Sequence, residues 1–316
     1  MRVSVVVPLY NKAATVARAL DSIARQSFAG FEAIVVDDGS TDGGGEIAEK
    51  FSDPRFRVVR QANAGPGAAR NRGIAEAGGE LIAFLDADDA WLPEYLESGV
   101  RLMEAGGEPV ASVTSGYLDF PRGVSTEDLW RRRGIAEGVH RVTPSTPAGA
   151  LVSMLAYMSP CSTMARLDRV RRWGGFYEKD GCRYGEDALL WLKFLLNERV
   201  RFVMRPLAEF HREASSLSSN YRLARPVEPF LLDPDEVASA CPSDLLPLLR
   251  RFYAARAAKT AAVLGYWGDW KGARRVFSRF VTAGDWRMPY FLPGLVGCTP
   301  LAGIAGAGLR LLRSSA

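Results

Sequence analysis

At Leu81-Ile82-Ala83-Phe84-Leu85-Asp86-Ala87-Asp88-Asp89, an uncharged apolar run leads directly into three carboxylates within four positions. A short apolar run that ends in a polar cluster is typical of a buried strand in a mostly parallel sheet. Open α/β sheets bind their ligands in the crevice at the carboxyl ends of the strands. We therefore expect Asp86, Asp88 and Asp89 to lie at the mouth of such a crevice.

These carboxylates have two possible roles. Two acids spaced by one residue can share a hard divalent cation, and Mg²⁺ is usually held by one or two carboxylates together with substrate phosphates. The same residues are also expected in a solvated acidic turn, since aspartate is favoured where the next helix begins. Both interpretations stay open on this stretch alone.

The composition narrows the class of protein. The chain has 316 residues, of which 47% are hydrophobic and 24% charged, as expected for one large α/β domain with an additional part. Its net charge of +4 is small, and its arginine clusters, such as 131–133 and 171–172, suit phosphate-bearing ligands, an anionic membrane or a solvated surface but are not the dense basic stripe of a nucleic-acid binder. The four cysteines show no metal-ligand spacing and predict neither a disulfide framework nor a zinc site. We expect reduced thiols in a cytoplasmic protein that is not exported.

Strands and helices alternate in the first part of the chain. Predicted strands at 3–7, 33–36, 56–59 and 81–85 are separated by helical stretches. This order predicts a parallel sheet built from βαβ units. The turns that follow strands one, two and four would then lie at the same edge of the sheet.

Two later segments carry candidate chemistry. Glu186 and Asp187 open an amphipathic helix, where acids either cap the helix or act as a general base at the edge of a site. His211 follows a predicted strand, and it is either a hydrogen-bonded structural residue or a metal ligand. Neither segment distinguishes between its two interpretations.

The C-terminal part has a different character. Prolines mark a linker after residue 221, and 244–264 and 271–282 predict a helical hairpin. The tail at 288–309 carries no charge but is broken by glycine and proline, so it is a poor transmembrane helix. It would lie at a membrane surface or pack back on the protein.

Six motifs of the chain can now be considered together. They are Val5-Val6-Val7-Pro8-Leu9-Tyr10-Asn11-Lys12, Val35-Val36-Asp37-Asp38-Gly39-Ser40-Thr41-Asp42, Asn63-Ala64-Gly65-Pro66-Gly67-Ala68-Ala69-Arg70-Asn71, Phe84-Leu85-Asp86-Ala87-Asp88-Asp89, Gly174-Gly175-Phe176-Tyr177-Glu178 and Gly185-Glu186-Asp187. In this order the chain resembles the family-2 glycosyltransferases over about residues 1–220. The resemblance implies the GT-A fold, a Rossmann-like mostly parallel sheet flanked by helices, as the catalytic domain at 1–220. The remaining part, 221–316, is predicted to be a C-terminal helical extension with an apolar tail.

The resemblance also implies roles for individual residues. Pro8 and Tyr10 would pack on the nucleotide base, Asp38 would accept a hydrogen bond from uracil, and Arg70 would lie near base or phosphate. Asp86 would contact the ribose or a metal-bound water. The metal, Mg²⁺ or Mn²⁺, would be held by Asp88 and by His211. Asp187 would be the catalytic base, with Glu186 supporting it.

The implied activity is metal-dependent, inverting transfer of a sugar from a nucleotide sugar, UDP-linked by expectation, to a hydroxyl of a glycan or lipid-linked acceptor. Such a reaction would build cell-surface polysaccharide or glycolipid at the inner face of the cytoplasmic membrane, with peripheral membrane contact through the tail. The segments 121–147 and 159–163 would shape the acceptor side.

Other functions fit less well. A nucleotidyltransferase would carry a glycine-rich basic loop after the first strand, where this chain has Pro8-Leu9-Tyr10-Asn11, and neither a dinucleotide-binding nor a Walker A motif is present. A non-catalytic nucleotide-sugar binder or scaffold is the remaining alternative. It would have little reason to keep both the acid pair and the metal carboxylates.

Overall fold

Residues 2–105, 109–214 and 226–303 are described in the computed structural model of the chain. The chain forms two compact units, Met1–Val142 with Ser153–Ser219 and Thr143–Val152 with Asn220–Ala316. The domain boundary at residue 220 stays a prediction. The assignment of 143–152 to the second unit was not indicated by any sequence pattern.

The strands in the described ranges are β1 (Val3–Leu9), β2 (Phe31–Asp37), β3 (Phe56–Arg60), β4 (Leu81–Phe84), β5 (Ala90–Trp91), β6 (Ser112–Phe120), β7 (Val124–Ser125), β8 (Gly138–His140), β9 (Thr163–Arg166) and β10 (Val200–His211).

The α-helices of the same ranges are α1 (Val16–Ala24), α2 (Gly44–Glu49), α3 (Pro66–Glu76), α4 (Tyr95–Glu104), α5 (Glu127–Arg132), α6 (Ala148–Tyr157), α7 (Leu167–Arg172), α8 (Glu186–Asn197), α9 (Pro229–Leu232), α10 (Pro234–Ala238), α11 (Leu246–Tyr266), α12 (Trp270–Phe280) and α13 (Phe291–Gly297).

The strands form one sheet in the order β3-β2-β1-β4-β9-β6-β10-β5, with β7 on β6 and β8 on β10. The first four strands of this order are parallel, as predicted. Beyond β4 the sheet is mixed, because β9 runs antiparallel to both β4 and β6. The predicted α/β fold class is confirmed, but parallel pairing extends over less of the sheet than expected.

The central strand β1 is covered on both faces. Val3, Val5, Val6 and Val7 have no exposed surface, as expected of a parallel strand between helical layers. Gly73 lets α3 approach β1 closely, because a Cβ at this position would lie 2.3 Å from Val6 Cγ1. This close approach fixes α3, and with it the side chains that α3 directs toward the carboxyl ends of the strands.

The second unit contains the predicted helical hairpin, here α11 and α12, followed by α13. Glycines bring α13 close to α11, since a Cβ on Gly294 would lie 2.7 Å from the Ala258 carbonyl oxygen and one on Gly297 would lie 2.4 Å from that of Ala261. In the described ranges, no helix combines the length and apolar character needed to cross a bilayer. Residues 304–309 of the predicted apolar tail lie outside the described residues.

Candidate active site

The turns after β1 and β2 are tied together by hydrogen bonds. Asn11 Oδ1 accepts from the Thr41 amide at 2.8 Å, and the Asn11 amide donates to Ser40 Oγ at 3.1 Å. The Asp38 amide donates to the Leu9 carbonyl at 2.8 Å. These bonds hold Pro8 and Tyr10 beside the end of β2, and both residues line the cavity described below.

Asp38 organises the loop that precedes α3. Its carboxylate accepts hydrogen bonds from Gln61 Nε2 at 2.8 Å and from the amides of Ala64 and Gly65 at 2.9 Å each. The side chain is buried but still contributes to the cavity wall. Asp38 therefore stabilises the loop that precedes α3. The contact of Asp38 with a nucleotide base stays a prediction.

The acidic end of β4 is paired with basic residues of the first helix region. Lys12 Nζ lies 2.6 Å from Asp88 Oδ2 and 2.6 Å from the Ala214 carbonyl oxygen. Arg18 donates to the Asp88 carbonyl at 2.5 Å. Burial and the nearby charge of Asp86 raise the pKa of Asp88, and Lys12 opposes this rise. The carboxylate of Asp88 is thus placed where a positive charge stabilises it.

Asp89, the third acid of the run, has a different position. It is buried, and its Oδ1 accepts from the His211 amide at 2.9 Å. This bond joins the β4 turn to the end of β10. Asp89 therefore makes a structural contact, whereas Asp86 and Asp88 face the cavity.

Arg70 links the two acidic motifs. Its guanidinium lies 2.6 Å from Asp86 Oδ1 and 2.6 Å from Glu186 Oε1, and it stands over the Phe176 ring at 5.2 Å from the centroid. Burial opposes the charge on Arg70, but the two carboxylates outweigh it and raise the pKa of the guanidinium. Arg70 therefore holds the end of β4 and the start of α8 at a fixed separation.

Asp187, the predicted catalytic base, has a raised pKa. It lies in the first turn of α8, after Gly185 in the left-handed conformation with φ +69°. Burial raises the pKa of Asp187 to about 7, with the charge of Glu186 adding to the rise and Arg70 opposing it. A carboxylate with a pKa near the working pH is suited to take up a proton during a reaction.

A cavity of about 370 Å³ lies at this edge of the sheet. Eight of the nine predicted site residues line it. They are Pro8, Tyr10, Asp38, Arg70, Asp86, Asp88, Glu186 and Asp187. The structure thus brings together the residues that the motifs spread over nearly 180 positions, and whether they perform the assigned roles stays a prediction.

His211, the ninth predicted residue, is not part of this wall, which Phe210 reaches instead. The His211 ring stacks on Phe120, with centroids 4.6 Å apart. Its Nδ1 lies 2.8 Å from Glu213 Oε1 and its Nε2 lies 3.4 Å from Glu209 Oε2. In this arrangement both ring nitrogens face carboxylates, so binding a metal would require the ring to leave them.

Some residues that line the cavity had no role assigned to them from the sequence. They are Lys12, Asn63, Arg183 and Phe210, whereas Pro160 lies in the segment 159–163 that was expected to shape the acceptor side. Lys12 was present in the quoted motif without a role, and its position next to the strand-end turn is the signal that could have identified it. Arg183 donates to Asn63 Oδ1 at 3.1 Å across 120 positions, a contact that spacing alone does not reveal.

The described fold and site define an α/β protein with an acidic cavity at the carboxyl ends of its strands, the usual ligand position in such sheets. Comparison with known proteins specifies the family. Residues 4–153 match the model of glycosyl transferase family 2. The chain carries a family-2 glycosyltransferase domain of the GT-A fold.

Individual relatives agree with this assignment. Glycosyltransferase GlyA of Streptococcus pneumoniae is 30% identical over 229 residues, which are 69% of this chain and 31% of GlyA. The chain spans about a third of the length of the curated relatives it matches.

Solved structures share the fold. S. aureus TarS 1-349 in complex with UDP has a TM-score of 0.65 at 20% identity, covering 98% of this chain and 92% of that one. The mannosyltransferase PcManGT from Pyrobaculum calidifontis, in complex with GDP-Man and Mn²⁺, has a TM-score of 0.55 at 21% identity, covering 98% and 87%.

Proposed function

We propose that this protein transfers a sugar from a UDP-linked donor to a hydroxyl acceptor, with inversion at the anomeric carbon. The observation that carries the proposal is one cavity lined by Asp86 and Asp88 at the end of β4 and by Asp187, whose pKa is raised to about 7. The first two acids suit a diphosphate with its cation, and the third suits a base.

The donor would bind between the turns that follow β1 and β2. Pro8 and Tyr10 would pack on the nucleotide base, and Asp38 would accept a hydrogen bond from uracil. The second oxygen of Asp38 accepts a single amide bond, from Gly65, so it retains acceptor capacity. The UDP bound to TarS supports a UDP-linked donor, whereas the GDP-Man bound to PcManGT makes GDP the first comparator.

The acidic pair fits a divalent cation by its chemistry. Asp86 and Asp88 supply the hard oxygen donors that Mg²⁺ and Mn²⁺ prefer, and the Lys12 ammonium 2.6 Å from Asp88 marks a position where positive charge is stabilised. The described residues hold no cluster of three or more His, Cys, Asp or Glu arranged for a metal. Asp88 is therefore proposed as the ligand with Asp86 beside it, diphosphate completing the set, and His211 stays a prediction.

The chain's own residues account for the remaining chemistry. Asp187 accepts the proton of the acceptor hydroxyl while the hydroxyl oxygen forms a bond to the anomeric carbon. At the same time the bond from that carbon to the diphosphate oxygen breaks. A bound cation would supply Lewis-acid stabilisation of the charge on the departing diphosphate. Arg70 keeps Glu186 and Asp86 in place and adds positive charge to the same wall. One base and one displacement invert the centre.

The biological setting follows from the same proposal. The acceptor would be a cell-surface glycan or a lipid-linked precursor, used at the inner face of the cytoplasmic membrane with peripheral contact through the C-terminal tail. The competing hypothesis is a nucleotide-sugar binder without catalysis. The raised pKa of Asp187 supports the enzyme, because carboxylates with a strongly raised pKa in a cleft are concentrated at catalytic sites.

The function is tested by incubating the protein with UDP-, GDP- and dTDP-sugars, Mn²⁺ and a panel of glycan and lipid-linked acceptors, and measuring free nucleotide. Acceptor-dependent release from UDP-sugars supports the proposal. Release of GDP or dTDP instead would show that the donor carries that nucleotide. Binding of a nucleotide sugar without release of nucleotide, whichever acceptor is added, would favour the non-catalytic hypothesis.

The reaction should lose rate as the pH falls through about 7. Because the raised pKa leaves Asp187 largely protonated at pH 6, fewer molecules hold a base that can accept the acceptor proton. Well below the pKa, turnover should fall about tenfold for each pH unit. The measurement is turnover under saturating donor from pH 5.5 to 8, with circular dichroism to verify folding. A flat profile over this range would argue against Asp187 as the base.

A further inference from the structure

Helix α13 presents large apolar side chains to solvent. Its inward positions are Gly294 and Gly297, which pack against α11, while Leu292, Leu295 and Val296 are exposed. The exposed three have the i, i+3, i+4 spacing of one helix face. Phe291 packs inward on Phe277, but the other large apolar side chains of α13 face solvent.

Further exposed apolar side chains flank this helix in the sequence. They are Trp286, Tyr290 and Leu301, of which Leu301 is 70% exposed. Of the thirteen large apolar residues exposed in the described ranges, six lie between 286 and 301. Single exposed apolar residues need no explanation, but a group of this size marks an interaction surface.

Charge indicates the partner. Residues 246–303 contain nine lysine or arginine residues and two aspartates, a net charge of +7, whereas the entire chain has +4. Both aspartates have structural tasks: Asp269 accepts from the Gly272 amide at 2.8 Å, and Asp285 accepts from the Thr282 amide at 2.8 Å. Some of the basic charge is already paired, since Arg250 lies 3.5 Å from Asp285 and Arg256 pairs with Glu228 outside the segment. The side chains that remain exposed to a partner include Arg274, Arg275 and Arg287.

The basic side chains adjoin the apolar surface. Arg287 stands over the Trp286 ring, 4.7 Å from its centroid. Helix α12 packs on α13 through Phe277 and Phe291, whose ring centroids are 5.7 Å apart, and its exposed side carries Arg274 and Arg275. Aromatic and aliphatic residues with flanking arginines are the composition of a segment that lies in a lipid interface.

We infer that this surface docks on a bilayer that contains anionic lipid, with Leu292, Leu295 and Val296 entering the interface and Arg274, Arg275 and Arg287 meeting the headgroups. The inference rests on the membrane contact in the proposed function and names its residues and lipid chemistry. A second copy of the chain is a poorer partner, because two surfaces of net positive charge would face each other.

The test uses the full chain and vesicle sedimentation. Vesicles of phosphatidylcholine alone are compared with vesicles that also contain phosphatidylglycerol, at low and at high salt. We expect binding to the mixed vesicles and weaker binding as salt screens the arginines. The variant Leu292→Ser/Val296→Ser should bind about tenfold more weakly, because two apolar side chains no longer enter the interface.

A control is available on the other unit. Ile47 is exposed on α2, away from the cavity and from the predicted acceptor segments, so Ile47→Ser should bind vesicles as the wild type does. The variant Arg274→Gln/Arg275→Gln should lose affinity for mixed vesicles by about fivefold per charge. Circular dichroism verifies folding of each variant.

Three outcomes would overturn the inference. The first is failure of the wild type to bind mixed vesicles, and the second is binding of Leu292→Ser/Val296→Ser to them as tightly as the wild type. The third outcome is a wild-type dimer, seen by light scattering, that becomes a monomer in this variant. UDP binding is measured on the same samples. Intact UDP binding without vesicle binding refutes the lipid surface alone, and vesicle binding without UDP binding refutes the proposed donor alone.

Discussion

Asparagine in place of Asp187 should abolish sugar transfer while UDP binding remains. The amide has the shape of the carboxylate but cannot take up the acceptor proton, so the displacement loses its base. General bases contribute about 10²–10⁴-fold to rate, and turnover should fall by that amount. The dissociation constant of UDP should stay near that of the wild type, because Asp187 is assigned to the acceptor and not to the nucleotide.

Asp168→Asn is the matched control, because this aspartate is exposed on α7. It removes the same charge from the same residue type and should leave turnover unchanged. Transfer is measured as acceptor-dependent nucleotide release, and binding is measured by calorimetry on both variants. A fully active Asp187→Asn would show that another group is the base.

Methionine in place of Arg70 should strongly destabilise the first unit. Arg70 is 5% exposed at its side chain, and its removal would leave Asp86 and Glu186 close together without a counter-charge. Breaking a buried ion pair in this manner costs about 3–5 kcal/mol in the free energy of unfolding. The measurement is the urea midpoint followed by circular dichroism. Arg70→Lys should be intermediate, since an ammonium cannot hold two carboxylates in the fork geometry of a guanidinium.

Arg72 provides the comparison on the same helix. Its side chain is 51% exposed and pairs with Glu76 at 2.9 Å, so Arg72→Met should change stability by no more than about 0.5 kcal/mol. The double variant Arg70→Met/Glu186→Gln should recover part of the loss, because one of the two uncompensated carboxylates becomes neutral. Equal urea midpoints for Arg70→Met and Arg72→Met would show that the charge cluster does not support the fold.

Much of the site could be predicted because the sheet topology brings the strand ends together. Parallel strands end at the same edge of a sheet, and β1, β2 and β4 are neighbours in which Leu9 pairs with Asp37. A motif placed just after each strand therefore reaches the same cavity regardless of its distance in sequence. Pro8, Asp38 and Asp86 are the simplest cases, since each follows or ends a strand that the apolar pattern predicted.

The contacts between these motifs were not predictable. Arg70 was expected near base or phosphate, and the structure shows it between Asp86 and Glu186, 116 positions from the latter. Lys12 reaches Asp88 across 76 positions. Such pairs depend on how far each helix is rotated and how closely it packs, and the apolar pattern specifies neither quantity.

Strand direction beyond β4 shows the same limit. The direction of β9 could not be predicted, because a short apolar run carries no information on whether a strand pairs parallel or antiparallel with its neighbours. His211 illustrates the problem for a single side chain. Its position at the end of a strand was foreseen, whereas the contacts of its ring with Glu213 and Glu209 depend on side-chain rotation.

The most direct test of the donor assignment is a calorimetric titration of UDP into the wild type and into Asp88→Ala, with and without Mn²⁺, with GDP and dTDP as comparators. We expect UDP to bind the wild type at least about tenfold more tightly when Mn²⁺ is present, as charge-assisted contacts to a diphosphate predict. Asp88→Ala should lose this dependence on Mn²⁺. Failure of the wild type to bind UDP, GDP or dTDP under any of these conditions would contradict the nucleotide-sugar transferase and leave the scaffold hypothesis.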